Sequence, residues 1–126
     1  MKLSSIRLIA TNVSELAQFY QTVIGVSGDG DNADYVEFEN AGATLALCSQ
    51  RAVDTYNKGA TLPAANRSVI LEFQVDDVDA ERSRLDAIVK DWVLEPTTQP
   101  WGNRSMIFRD PDGNLINFYM PIRRNE

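Results

Sequence analysis

The sequence predicts an α+β fold made of two tandem β-α-β-β-β modules, and three observations carry that prediction. Sliding the chain by 65 residues lays Ile6–Ala10 over Leu71–Val75 and Asn12-Val13 over Asp77-Val78 (12 + 65 = 77). In both copies the hydrophobic pattern switches at the same point from strand alternation to helical spacing. Aligning Gly42 with Gly113 (an offset of 71) then carries Ala46 onto Asn117, so the last strands of the copies also correspond. Duplication of one supersecondary unit builds two related half-cores that bury their faces together, commonly around a cleft.

Each element follows in order. Residues 3–10 alternate as a strand, and Asn12 with Glu15 three positions later is a capping signature. Val13, Leu16, Ala17, Tyr20, Val23 and Ile24 recur at helical spacing until Gly25 supplies a stop. Ser27–Asp34, rich in Gly, Asp and Asn, reads as a loop around a short strand. Strands Tyr35–Glu39 and Thr44–Ser49 follow, joined through Asn40-Ala41-Gly42. Periodicity then lapses from Gln50 to Asn66, apart from a helical turn around Val53–Tyr56. The second copy opens with a strand over Ser68–Val75, and Asp77 caps a helix whose inner stripe is Val78, Leu85, Ile88 and Val89. Strands near Trp92–Glu95, Arg104–Phe108 and Leu115–Met120 complete it. The last two are joined by Asp110-Pro111-Asp112-Gly113, where proline presets one turn dihedral and glycine accepts a positive one.

Composition sets the bounds. At 126 residues, 44% hydrophobic and 24% charged, the chain has the length for one ordinary core, so one domain over 1–126 is expected. Its expected parts are a first module over 1–50, a linker over 51–66 and a second module over 67–122. No apolar run approaches the roughly 18 residues of a membrane span, and the N-terminus lacks the features of a signal peptide, so a cytoplasmic protein without a membrane partner is expected. The formal charge of −6 disfavours nucleic acid, whose phosphates would be repelled, and favours a neutral or cationic small ligand. The chain has no histidine and a single cysteine, Cys48. An internal disulfide and a multi-cysteine zinc site are thereby excluded, and the commonest general base is missing. Cys48 reads as a small buried strand residue, and Ser4 and Ser5 have no base beside them, so no catalytic residue is expected.

Taken with the duplication, Phe19-Tyr20 followed by Ile24-Gly25, the helix entry Val75-Asp76-Asp77-Val78, and above all Phe108-Arg109-Asp110-Pro111-Asp112-Gly113-Asn114 resemble the vicinal oxygen chelate superfamily. That group comprises glyoxalase I, extradiol dioxygenases, and fosfomycin- and bleomycin-resistance proteins. Gln99-Pro100-Trp101-Gly102 is similar to the bleomycin-resistance branch in particular. The resemblance covers essentially the whole chain and implies curved mixed sheets around a cleft. It also implies a homodimer with ligand pockets between subunits.

Metal-dependent members place His or Glu on the first and last strands of each half. The resemblance carries those positions onto Ser5, Ala46, Ile70 and Asn117, and the internal repeat agrees, since 5 + 65 = 70 and 46 + 71 = 117. Alanine and isoleucine offer no donor, while serine and asparagine offer weak neutral oxygens; transition metals want several imidazole, carboxylate or thiolate ligands. Neither a metal nor another cofactor is therefore expected.

Alternation places Arg7 and Ile9 on the face of Ser5, Thr44 and Cys48 with Ala46, Glu72 and Gln74 with Ile70, and Leu115 and Tyr119 with Asn117. The opposite set, Ile6, Leu8, Leu45, Leu47, Phe73, Val75, Ile116 and Phe118, is apolar throughout and should pack beneath the helices. Tyr35 and Glu37 join the polar face. Trp101 offers a rigid face for stacking on a planar or cationic ligand, or else packs in the core or a subunit interface. The expected ligand-binding set is thus Arg7, Tyr35, Glu37, Glu72, Trp101, Asn117 and Tyr119, in a small-molecule binding protein acting by sequestration. The alternative is a lyase, isomerase or dioxygenase whose metal recruits displaced carboxylates such as Glu37 or Glu72.

Overall fold

The computed structural model describes residues 1–31, 33–39 and 42–122. These pack as two compact units that divide after Ala65. The Asn40-Ala41 part of the predicted strand connection lies outside the described residues.

The first unit contains β1 (Ser5–Ala10), α1 (Val13–Ile24), β2 (Asp29–Gly30), β3 (Tyr35–Phe38), β4 (Thr44–Ser49) and α2 (Gln50–Asn57). Its four-stranded mixed sheet has the order β1-β4-β3-β2, with β1 parallel to β4. The second unit contains β5 (Ile70–Gln74), α3 (Val78–Arg84), β6 (Asp91–Thr98), β7 (Asn103–Arg109) and β8 (Leu115–Pro121). Its sheet repeats the topology as β5-β8-β7-β6, with β5 parallel to β8. The fold is α+β and duplicated.

The helix starts form for the reason the sequence indicates. Asn12 Oδ1 accepts the Glu15 N–H at 3.0 Å, and at the matching position Asp77 Oδ1 accepts the Ala80 N–H at 3.0 Å, each satisfying a donor that the first helical turn leaves open. Gly25, at φ 82°, closes α1 in the left-handed conformation that a side chain would disfavour, and its N–H donates to the Gln21 carbonyl. The apolar stripe of α1 packs on β3 and β4 and buries Leu16, Tyr20 and Val23 with Phe38 and Leu47. In the second unit Val78 and Leu85 are buried, as are Met106, Phe108 and Ile116 of the sheet on which α3 packs. The predicted inner face holds: Leu8, Leu45, Leu47, Ile116 and Phe118 are buried, with Ile6, Phe73 and Val75 half-buried.

Four local expectations are corrected. The linker carries an eight-residue helix rather than a single turn, because the Ser49 hydroxyl caps it by accepting the Ala52 N–H. β5 starts at Ile70 rather than Ser68, since Asn66 Oδ1 takes the N–H groups of both Ser68 and Val69 into a turn. α3 ends at Arg84, so Ile88 loses the helical phase and stands 36% exposed. β6 runs on through Pro96 to Thr98, which an edge strand tolerates because that side needs no N–H donor.

Candidate functional site

In the first sheet, register sets Arg7, Ala46 and Glu37 side by side across β1, β4 and β3, with Ile9, Cys48 and Tyr35 in the next row on the same face. The Tyr35 hydroxyl donates to Glu37 Oε2 at 2.9 Å. The Arg7 guanidinium lies 5.7 Å from the Tyr35 ring centroid, within reach of a cation–π contact. Three of the expected ligand-binding residues, Arg7, Tyr35 and Glu37, therefore form one cluster. Accepting the phenol's hydrogen bond, the Glu37 carboxylate together with partial burial holds the Tyr35 pKa above that of a free tyrosine. Beneath them Ala46 and Cys48 are 1% and 2% exposed. Burial pushes the Cys48 thiol up, and its Sγ–H donates to the Ser49 carbonyl, so the thiolate needed for nucleophilic attack is disfavoured.

In the second sheet the equivalent row is Glu72, Asn117 and Ile107, across β5, β8 and β7, followed by Gln74, Tyr119 and Ser105. Glu72, Asn117 and Tyr119 share one face as expected. Asn117 Oδ1 is buried with no hydrogen-bond partner among the described residues. A buried carbonyl oxygen without a donor is unfavourable by about 1–3 kcal/mol, so this atom is a ready acceptor for an incoming N–H or O–H group. Trp101 sits on the turn between β6 and β7 and is 72% exposed, which removes the expectation that it packs in this unit's core.

The strand expected near Arg104–Phe108 is present as β7, but none of its side chains was assigned to the polar face. Met106 and Phe108 are fully buried, so Ser105, Ile107 and Arg109 point to the face of Asn117. The alternation of Ser105–Arg109 already carried that signal.

The donor chemistry decides the fit to a metal. Ser5 and Ala46 lie on one face of the first sheet, Ile70 and Asn117 on one face of the second, and in each unit one member is apolar and the other a neutral oxygen. Ala46, moreover, has the cationic Arg7 as its direct neighbour. Among the described residues, no three Cys, Asp or Glu side chains gather as a metal site would require. This donor set does not fit a divalent transition ion. No described helix is long and apolar enough to cross a membrane.

A family model for the glyoxalase-like domain matches residues 3–122. The chain belongs to the glyoxalase-like family. This glyoxalase-like chain is 30% identical over 125 residues to the uncharacterized protein YraH of Bacillus subtilis (strain 168), covering 94% of this chain and 98% of YraH. Among solved structures, a glyoxalase/bleomycin resistance protein/dioxygenase family enzyme from Burkholderia phytofirmans PsJN superposes with a TM-score of 0.84 at 14% identity, covering 97% of this chain and all (100%) of that one. A glyoxalase/bleomycin resistance protein/dioxygenase from Nocardioides gives 0.80 at 18% identity, covering 100% of this chain and 87% of that one. A lactoylglutathione lyase from Agrobacterium tumefaciens gives 0.72 at 21% identity, covering 94% and 92%. At such identities the structural likeness establishes the glyoxalase-like fold and leaves the chemistry to the residues of the site.

Proposed function

We propose that this glyoxalase-like protein binds a small organic molecule without transforming it, in the manner of sequestration. The observation that carries the reading is the row Arg7, Ala46 and Glu37. At Ala46, the position onto which the resemblance carries a metal ligand of the superfamily, this chain has a buried methyl group. Around it stand a guanidinium, a carboxylate and a phenol already joined by a hydrogen bond and a ring contact. Such a face can stack on a planar group and hydrogen-bond its rim, and it holds no activated nucleophile or base. Glu72, Asn117 and Tyr119 add acceptors and an aromatic ring on the second sheet, and exposed Trp101 adds a stacking surface. The proposal extends to an antibiotic-like ligand bound by a homodimer in the cytoplasm, as the resemblance of Gln99-Pro100-Trp101-Gly102 to the bleomycin-resistance branch implies.

The test is a thermal-shift screen of the purified chain against aromatic natural-product antibiotics, followed by mass spectrometry of each stabilising compound after prolonged incubation. Stoichiometric recovery of unchanged compound supports sequestration, whereas a transformed product refutes it. Sedimentation of the same sample reads the oligomeric state.

The second reading, a metal-dependent lyase, isomerase or dioxygenase, is favoured by one specific observation: the unpartnered Asn117 oxygen has Glu72 as its register neighbour. Stoichiometric zinc, nickel, iron or manganese in the purified protein, removed together with a turnover activity and restored with it, would establish that reading instead.

A further inference from the structure

At the foot of the second sheet a cavity of about 200 Å³ opens beside the start of β5. Arg67 and Arg109 line it together with the apolar Val69, Ile70 and Leu115. Two arginines lining one small cavity are out of keeping with a chain of net charge −6 and 12 basic residues in all. Arg67 is exposed and has no partner among the described residues. Arg109 donates through Nη1 to the Gly113 carbonyl at 2.9 Å, and its Nε stands 3.8 Å from a mostly exposed Asp91 carboxylate.

The walls are held before any ligand arrives. Asn66 Oδ1 accepts the N–H groups of Ser68 and Val69, and its Nδ2 donates to the Val69 carbonyl and to Asn114 Oδ1. Asn114 in turn donates from its Nδ2 to Asp110 Oδ2 at 2.7 Å inside the buried hairpin turn that also positions Arg109. The turn bearing Arg67 and the hairpin bearing Arg109 are thus tied to each other, which lowers the ordering cost of bringing two cations to one ligand.

We propose that this cavity binds a small organic carboxylate, its oxygens held by Arg67 and Arg109 and its hydrocarbon part seated against Val69, Ile70 and Leu115. Guanidinium forks match a planar carboxylate in geometry, and the apolar wall favours an anion with a carbon body over a fully hydrated one. The volume admits a ligand the size of a single substituted ring, below the range of about 300–1,000 Å³ typical of drug-sized sites. The pocket lies wholly within the second unit and does not depend on the reading of the Arg7, Tyr35 and Glu37 cluster.

The experiment is a titration of the ¹⁵N-labelled full chain with benzoate, with its neutral counterpart benzyl alcohol, and with inorganic phosphate. Benzoate is expected to shift the amides of Ser68, Val69, Ile70 and Leu115 while those of Tyr35 and Glu37 stay silent. Arg67→Gln, at an exposed site, is expected to weaken binding at least tenfold, with added salt weakening it in the wild type. Arg109→Lys, which keeps the charge and loses the fork, should weaken it by several-fold, and its amide spectrum reports whether the hairpin is intact. The proposal is overturned if those amides do not respond to benzoate, if Arg67→Gln binds as the wild type does, or if benzyl alcohol or phosphate binds as tightly as benzoate.

Discussion

The two sheets are built to one plan and furnished differently. Their strand orders, β1-β4-β3-β2 and β5-β8-β7-β6, are the same, and so is the placing of their rows: Arg7, Ala46 and Glu37 in one, Glu72, Asn117 and Ile107 in the other. In the first sheet the charged groups flank a buried alanine, and the acid is engaged by a tyrosine of the same strand. In the second an acid and an amide oxygen without a partner among the described residues share the row, while two arginines line a cavity at its foot. The two units share the backbone plan and the apolar helix-side faces and differ on the opposite faces, because the helix-side faces carry most of the large buried side chains of each unit.

That comparison is broken most forcefully in the cores. Phe108 is fully buried and touches the rings of Trp92 and Phe118, and Leu47 is likewise fully buried in the first unit. Phe108→Ala is expected to destabilise by about 3–5 kcal/mol and Leu47→Ala by about 2–5 kcal/mol, read from urea unfolding midpoints. Comparable losses would show that both cores are close-packed; a near-neutral effect in either would mean that its packing is loose.

The faces opposite the helices should respond unequally. Ala46→Glu places a carboxylate at a position 1% exposed, so a loss of about 1–3 kcal/mol is expected, whereas Ile70→Glu, at a position 46% exposed, should change stability by less than about 0.5 kcal/mol. Chemical denaturation of the two variants measures the contrast, and equal losses would contradict the burial assigned to Ala46.

The helix caps sharpen the likeness instead. Asn12→Ala and Asp77→Ala each remove one cap hydrogen bond at matching positions and should each cost about 1 kcal/mol, measured by thermal unfolding. A cap whose loss has no effect would show that its helix start is held by packing alone.

Ionisation gives a subtler test. Because Glu37 and burial raise the Tyr35 pKa in the folded state, the hydrogen bond contributes stability below the ordinary tyrosine pKa and loses it as pH rises through the folded value. NMR of ¹³C-labelled tyrosine rings should find Tyr35 titrating later than a free tyrosine, and Glu37→Gln should move it earlier. An unchanged midpoint in that variant would leave burial as the whole cause. The smallest expected effect on stability is that of Trp101→Ala, within about 0.5 kcal/mol for a side chain 72% exposed, while it weakens binding of any aromatic ligand found by the thermal-shift screen.

Much of the fold was legible from pattern alone. The strand alternation of Ile6–Ala10 and Leu71–Val75, the caps Asn12 and Asp77, and the Asp110–Gly113 turn are local signals, and each appears in the structure within a few residues of its expected bounds. Departures occurred where a distant or non-periodic interaction decided the outcome: Asn66 delaying β5, Ser49 starting α2, and α3 stopping before Ile88. The polar face was legible too, since Arg7, Tyr35 and Glu37 followed from residues two apart pointing the same way.

By itself, then, the sequence determined the duplication, the element types and which side of each strand is apolar, because hydrophobic period and capping chemistry act over a few residues. Only tertiary structure decided that Ala46 lies buried between Arg7 and Glu37, that the Asn117 oxygen lacks a partner among the described residues, and that Arg67 and Arg109 line one cavity. Those facts depend on strand register and on contacts between residues remote along the chain, such as the Asn66–Asn114 bond across 48 positions, which no local period encodes.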